Sequence, residues 1–203
     1  MLLPEIYLVR HGVTIANEQG VFAGTMETRL SPEGVSQARA ACHFLRQIEF
    51  ARAYSSPMLR TRQTVAALDL DLEFEYDSRL KAMNFGNLQG QPFALGREQG
   101  LILPALFGDI NLRFPGGECY GDVEKRVGAF MKEKLLNLPG PVLIVTHGAA
   151  GMILLATLLP QLKNQIAGLA QGNGDVICVR SGGFSIAFVP ERHSAGLDSP
   201  FGR

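Results

Sequence analysis

The chain has 203 residues, of which 46 % are hydrophobic, and its 19 basic residues balance its 19 acidic residues. This length is enough to bury a full core, and we expect one domain over residues 1–203. A formal net charge of zero and the lack of a basic run argue against nucleic acid or an anionic membrane surface as the partner. A small molecule is the expected ligand.

No membrane or export signal is recognisable in the sequence. The longest apolar run, near residues 148–160, falls short of the ~20 residues that a membrane span needs. The N-terminal residues MLLPEIYLVR lack a basic flank and a small-residue cleavage site. We therefore expect a cytoplasmic protein, in which the three cysteines, without paired spacing, are free thiols.

The first half of the chain alternates predicted strands and helices. Residues 6–9 are a continuous apolar run, typical of a strand buried on both faces. Ser31 and Pro32 suit the cap and the first turn of a helix. Residues 51–55 form the next candidate strand, and Pro57 opens a second helix that runs to about residue 67.

The second half repeats this pattern. Apolar residues at helical spacing predict a helix over residues 120–136, and residues 142–145 form another apolar strand before the apolar helix AAGMILLATLL. Residues 175–179 and 184–189 flank the turn RSGG and predict an edge hairpin. We expect a three-layer α/β/α sandwich with a mostly parallel central sheet and an antiparallel edge strand.

Two segments fit neither period. Residues 91–113 are best interpreted as an insertion or lid beside a pocket. The polar tail, residues 191–203, is expected to be mobile. It contains His193, which we expect to be solvated.

Polar side chains follow the predicted strands. Arg10 and His11 follow the first strand, and His147 follows the strand at 142–145. Ligands of open α/β sheets bind outside the carboxyl ends of the strands, so these side chains should meet. Arg60 would point to the same place from the start of its helix, where the helix N-terminus favours anions. Two arginines and two histidines so placed predict a phosphate pocket.

Phosphoryl transfer assigns a role to each of these four residues. The reaction needs positive donors on the phosphoryl oxygens and an in-line nucleophile, which a neutral imidazole can supply. We expect His11 to be the nucleophile, while Arg10, Arg60 and His147 hold the transferring group. Arg62, two residues further along the helix than Arg60, should point to the surface.

These residues lie in motifs that resemble those of the histidine phosphatase superfamily, in its phosphoglycerate-mutase-like group. The motifs, in chain order, are LVRHGVTIAN, LSPEGVSQA, YSSPMLRTRQTV, NFGNLQG, PGGE and VTHGA. The resemblance spans nearly the whole chain. It implies that His11 becomes a phosphohistidine and that Asn17 and Gly24 line the phosphate pocket. It implies no metal and no other cofactor. Independently of the resemblance, Gly148 should bind the substrate by allowing close approach of the backbone.

The chain departs from the family pattern at Ala82. Relatives of this kind carry a glutamate there, in a Leu-x-Glu-x-x-x-Gly arrangement, and its carboxyl protonates the leaving oxygen. Another carboxyl could substitute, with Glu118 in PGGE as the first candidate, although a charge favourable to a helix dipole explains Glu118 equally well. The glutamate could instead have been replaced in the laboratory, or the chain could be a natural binder of phosphorylated ligands.

The favoured hypothesis is a phosphatase that hydrolyses small phosphomonoesters through a phosphohistidine and releases inorganic phosphate. A phosphoglycerate-mutase-type phosphoryl transfer and a catalytically impaired phosphate-ligand binding protein are the alternatives. The sequence names no natural substrate and leaves a homodimer open.

Overall fold

The centre of the molecule is a six-stranded sheet, seen in a computed structural model that describes residues 3–98, 109–167, 169, 171–180 and 182–191. Its strands are β1 (Ile6–Arg10), β2 (Arg52–Ser55), β3 (Phe74–Tyr76), β4 (Val142–Thr146), β5 (Val176–Arg180) and β6 (Gly183–Phe188). They lie in the order β3-β2-β4-β1-β5-β6. The first four in this order are parallel, whereas β5 is antiparallel to both of its neighbours. The predicted mostly parallel sheet with an antiparallel hairpin at its edge is confirmed.

Helices cover both faces of the sheet. The α-helices are α1 (Ile15–Glu18), α2 (Pro32–Leu45), α3 (Leu59–Leu68), α4 (Phe93–Glu98), α5 (Tyr120–Lys134), α6 (Gly148–Leu158) and α7 (Lys163–Ala167). Successive side chains of a strand point to opposite faces. Accordingly, Ile6 and Leu8 of β1 join the core under α5 and α6, and Tyr7 and Val9 join the core under α2. The chain therefore forms the predicted sandwich.

Local sequence accounts for the helix starts. The Ser31 hydroxyl accepts the Gly34 N–H at 3.2 Å, and Pro32 is the first residue of α2, as predicted. Helix α3 begins at Leu59, two residues after the predicted start. Helix α6 is buried on all sides except at Thr157, because it lies between β1, α5 and α7.

Three short elements escaped the sequence patterns. Strand β3 has only three residues and is half exposed, and α1 and α4 are shorter than two turns. Elements this short do not produce a recognisable periodicity of apolar residues in the sequence. Helix α4 occupies part of the segment 91–113, which was interpreted as an insertion or lid. Residues 99–108 of that segment, and residues 192–203 of the tail with His193, lie outside the described residues.

Two further expectations concern the whole chain. Across the described ranges, no helix combines the length and the apolar character that crossing a membrane requires. The three cysteines are free and buried, as predicted.

The topology brings five chain segments to one edge of the sheet. The parallel strands β1, β2 and β4 end there, at Arg10, Ser55 and Thr146. Strand β5 runs in the opposite direction and begins there, because Val9 pairs with Val176. The loop before β5 and the start of α6 therefore reach the edge where Arg10 and His11 lie.

Two helical glycines give a matched test of packing, one beside the loop that follows β1 and one away from it, against the C-terminal part of α6. A Cβ atom on Gly34 would lie 2.0 Å from the Val13 carbonyl oxygen, whereas one on Gly128 would meet only the Thr157 methyl group, at 3.9 Å. We expect Gly34→Ala to lower the free energy of unfolding by about 1–3 kcal/mol, because backbone must move. We expect Gly128→Ala to raise it by about 0.5–1 kcal/mol. Urea unfolding measures both, and a stabilised Gly34→Ala variant would contradict the packing described.

Candidate active site

A cavity opens at this edge of the sheet, and most of the predicted site residues line it. Those in its wall are Arg10, His11, Asn17, Gly24, Arg60, His147 and Gly148. Glu118 does not line the cavity. Arg10, His11, Arg60 and His147 are each only 2–5 % exposed, so these four residues are buried in the cavity wall.

Hydrogen bonds fix the tautomer and the direction of the His11 ring. Its Nδ1–H donates to the Gly12 carbonyl oxygen at 2.8 Å, which leaves the lone pair on Nε2. The Asn173 side-chain amide donates to the His11 carbonyl oxygen at 3.0 Å and holds the backbone of this loop. The imidazole therefore presents an unprotonated Nε2 to the cavity.

Arg60 links the two imidazoles. Its Nε–H donates to His11 Nε2 at 3.2 Å and to His147 Nδ1 at 3.1 Å. Its terminal nitrogens donate to the carbonyl oxygens of Gly24 at 2.7 Å and Met26 at 3.0 Å. The guanidinium group is thus held in place by backbone carbonyls, and the role of Gly24 is to supply one of them.

His147 is the N-cap residue of α6, and its ring lies against that of His11. The ring centroids are 5.2 Å apart. Because Nδ1 accepts from Arg60, the ring proton is on Nε2, which lies 2.8 Å from the Ser56 hydroxyl oxygen. Gly148 and Ala149, at the start of α6, also line the cavity. The first N–H groups of a helix have no partner within it and favour an anion.

Arg10 and Asn17 are held by neighbouring loops. The Arg10 Nη1 donates to the Gln171 carbonyl oxygen at 2.5 Å, and the Gln171 amide donates back to the Leu8 carbonyl oxygen at 3.2 Å. The Asn17 side-chain oxygen accepts the Thr14 N–H at 3.1 Å, as part of a capping box that starts α1. Both side chains are therefore positioned before any ligand binds.

Burial and the two guanidinium groups keep both imidazoles neutral. Loss of solvation, then Arg60 and Arg10, lower the pKa of His11 well below its ordinary value. Loss of solvation, then Arg60, do the same to the pKa of His147. Burial also lowers the pKa of Arg60, to about 10, so Arg60 remains a cation at neutral pH. The site combines positive charge with two neutral imidazoles.

The rest of the cavity wall is apolar. Besides Ala82, it contains Val21, Phe22, Ala23, Met83, Phe85 and Phe93. Among the lining residues that the structure describes, none is an aspartate or a glutamate. The lining thus combines cations, imidazoles and the polar side chains of Thr14 and Asn17 with a large apolar surface.

Glu118 holds the loop that carries Ala82. Its carboxylate accepts the Asn84 N–H at 2.8 Å and pairs with the Arg126 guanidinium at 3.0 Å. Arg126 also donates to the carbonyl oxygens of Lys81 at 2.8 Å and Ala82 at 3.1 Å. These contacts favour a structural part for Glu118 over that of an acid facing the ligand.

Sequence reasoning missed three residues that hold the site together. Ser56 follows Ser55 in YSSP, so its position beyond a strand end was a usable signal. Gln171 and Asn173 lie in the QGNG stretch before β5. They would have been found by noting that the first residues of an antiparallel strand lie at the carboxyl edge of its parallel neighbours.

Comparison with known proteins agrees with this geometry. The family model of the histidine phosphatase superfamily (branch 1) matches residues 6–189. The fructose-2,6-bisphosphatase TIGAR of Mus musculus is 29 % identical over an alignment 216 positions long. The alignment covers 96 % of this chain and 74 % of that protein.

Two solved structures are similar as well. A phosphoglycerate mutase from Thermus thermophilus is 27 % identical with a TM-score of 0.65, over 86 % of this chain and 92 % of its own. Mycobacterial hydrolase 1 is 27 % identical with a TM-score of 0.75, over 87 % of this chain and 91 % of its own. The names of the three proteins cover a phosphatase, a mutase and a hydrolase.

The lowered histidine pKa values make the folded protein sensitive to acid. Below about pH 6.5 the unfolded chain binds protons on both histidines, whereas the folded chain does not, so stability falls as the pH falls. Between about pH 7.5 and 5.5 we expect a loss of about 1.4 kcal/mol for each of the two. Urea unfolding at the two pH values measures it. An equal loss in the His11→Gln/His147→Gln double variant would contradict the assignment.

Proposed function

Because the chain belongs to the histidine phosphatase superfamily, we propose that it is a phosphatase that hydrolyses small phosphomonoesters through a phosphohistidine at His11. The observation that carries the proposal is the geometry of His11 Nε2. This atom is unprotonated, faces the cavity, and lies 3.2 Å from a buried guanidinium nitrogen. A nucleophile beside a cation is what attack on a phosphate dianion requires.

In the first step the phosphoryl group lies against Arg10, Arg60, His147 and the start of α6. The Nε2 lone pair of His11 attacks phosphorus, and the bond from phosphorus to the ester oxygen breaks. The Arg60 Nε–H, which donates to both imidazoles in the free protein, turns to a phosphoryl oxygen. One such donor is worth roughly 2.7–4 kcal/mol in the transition state.

In the second step water attacks the phosphohistidine. The phosphorus–nitrogen bond breaks, His11 regains its lone pair, and inorganic phosphate leaves. Arg10, Arg60 and His147 do not change covalently, so the same donors serve both steps.

The cavity favours hydrolysis over phosphoglycerate-type transfer. A mutase must hold a substrate with a carboxylate or a second phosphate while it keeps the phosphoryl group. In the described lining, the only cationic side chains are Arg10 and Arg60, which we assign to a single phosphoryl group. Release of free phosphate with no bisphosphate primer would distinguish phosphatase from mutase.

The impaired binding protein is the second candidate, because Ala82 and the other described wall residues include no carboxyl group. It predicts tight binding of a phosphate ester without a covalent intermediate. Rapid formation of a phosphoenzyme would exclude it.

A labelling experiment tests the phosphohistidine intermediate. Mixing the protein with a ³²P-labelled aryl phosphate should place label on one histidine, and the label should be stable in alkali and lost in acid. His11→Gln should abolish labelling, whereas His147→Gln should slow it without abolishing it, because only His11 forms a bond to phosphorus. Label that persists in His11→Gln would contradict the proposal.

Substitution of two arginines of α3 tests the role proposed for Arg60. Arg60 reaches the cavity, whereas Arg62 is exposed, donates to the Pro57 carbonyl oxygen at 2.9 Å and lies over the Tyr76 ring. Arg60→Gln should lower kcat/KM by about 10²–10³, as expected for removal of one donor to a developing oxyanion. Arg62→Gln should stay within about twofold of the unmodified protein. Equal losses in the two variants would refute the role given to Arg60.

A further inference from the structure

The cavity lining includes an aromatic wall, defined here as Phe22, Phe85 and Phe93. The ring of Phe22 lies 5.2 Å from that of Phe85 and 5.0 Å from that of Phe93, the latter edge to face. All three side chains are buried and line the cavity together with Met83. Such a surface packs favourably against a flat apolar group and offers no hydrogen bond to a hydrated polar group.

This wall offers no counter-charge for a second anionic group. A carboxylate or second phosphate moved there from water would lose its hydration without a partner, which is strongly unfavourable. The described lining has no lysine, and its two arginines are those assigned to the transferring phosphoryl group. The described cavity lining therefore disfavours phosphorylated acids and bisphosphates as substrates.

The same wall offers no acid for the leaving oxygen. Thr14 and Asn17, among the described lining side chains that carry N–H or O–H groups, are very weak acids. Arg10 and Arg60 remain cations assigned to the phosphoryl oxygens, and the ring protons of His11 and His147 face the Gly12 carbonyl and Ser56. An aliphatic alcohol is about as weak an acid as water, whereas a phenol has a pKa of about 10. Only the second kind of oxygen leaves readily as an anion.

We infer, on the basis of the proposed function, that the substrate is the phosphate monoester of an uncharged aromatic alcohol, bound with its ring against Phe22, Phe85 and Phe93. His11 Nε2 forms the bond to phosphorus as the phosphorus–oxygen bond breaks. The aryl oxide leaves with the bonding electron pair and takes its proton from water. Water then hydrolyses the phosphohistidine to inorganic phosphate.

The first test is a leaving-group series. Phenyl phosphates with ring substituents that change the phenol pKa are compared with 2-phenylethyl phosphate, which is apolar but aliphatic, and with 3-phosphoglycerate, which is aliphatic and charged. We expect the rate of His11 labelling to fall steeply with rising phenol pKa and to be at least about 10²-fold lower for 2-phenylethyl phosphate. Equal rates for phenyl and 2-phenylethyl phosphate would overturn the inference.

Restoring an acid provides a converse test. Ala82→Glu places a carboxyl group in the wall, and it should raise turnover of 2-phenylethyl phosphate by about 10²–10⁴ while changing that of 4-nitrophenyl phosphate much less. An equal gain on both esters, or a gain on neither, would show that the missing proton donor does not limit the reaction.

The aromatic wall is tested with two truncations on one helix. Phe93 lines the cavity, whereas Leu95, also on α4, packs on the core outside the lining. Phe93→Ala should raise KM for phenyl phosphate about tenfold and leave inhibition by inorganic phosphate unchanged. Leu95→Ala should change neither by more than about twofold. If Phe93→Ala weakens phosphate inhibition as much as it raises KM, the ring does not contact the alcohol.

Two different results would contradict the inferred substrate class and the proposed phosphatase reaction. If no ester, aryl or aliphatic, labels His11, the proposed phosphatase reaction is wrong. If 3-phosphoglycerate labels His11 as fast as phenyl phosphate does, the reaction stands and the assigned substrate class is wrong.

Discussion

The site depends on a buried guanidinium group held by neutral dipoles. Arg60 is 2 % exposed, and its hydrogen-bond acceptors are backbone carbonyls and two imidazole nitrogens. A carboxylate in the place of those carbonyls would satisfy the cation and would also compete with a phosphoryl group for it. Carbonyl dipoles stabilise the charge, and the Glu27 carboxylate, which also acts on Arg60 electrostatically, accepts the Leu59 N–H and does not line the cavity. At an effective dielectric constant near 20, two unit charges about 4 Å apart interact by roughly 4 kcal/mol, so the charge of Arg60 is a substantial driving force for anion binding.

The same charge sets the state of the nucleophile. Burial and then the neighbouring guanidinium groups lower the pKa of His11, so the cations that we propose to bind the phosphoryl group also keep His11 Nε2 unprotonated. A second interaction aims that atom, because the Gly12 carbonyl takes the proton on Nδ1. The same burial and the same guanidinium groups keep His147 neutral, so its ring donates through the proton on Nε2 alone.

The scaffold explains why these groups hold their places. Gly12 and Gly34 lie back to back, and a Cβ atom on Gly12 would be 2.2 Å from the Gly34 carbonyl oxygen, so the loop after β1 is fixed against α2. On the other side, Arg126 and Glu118 clamp the loop at residues 79–84, and the Thr146 hydroxyl donates to the Leu80 carbonyl oxygen at 2.8 Å. Rigid contacts outside the cavity thus decide where Ala82 and Met83 lie inside it.

The sequence was informative where function follows strand ends and uninformative where it follows tertiary contacts. Arg10, His11 and His147 could be placed because apolar runs end abruptly at them, and Arg60 could be placed from the start of its helix. Asn173 could not, because its role depends on the reversed direction of β5. The structural role of Glu118 could not be predicted either, because its partner Arg126 lies in α5 and the two side chains come into contact only in the folded chain.

The alanine at position 82 is consistent with the electrostatics of the wall around it. A glutamate there would be surrounded by Phe22, Phe85 and Met83, where loss of solvation raises a carboxyl pKa and favours the protonated acid. Binding of a phosphate dianion would raise that pKa further, whereas the ionised form would cancel one of the two positive charges on the lining. Under the proposed function, alanine forgoes proton donation and keeps the full positive charge of the lining for the anion. A leaving oxygen that is already a weak base needs no such donor, so Ala82 and the aromatic wall are both consistent with the aryl ester inferred above.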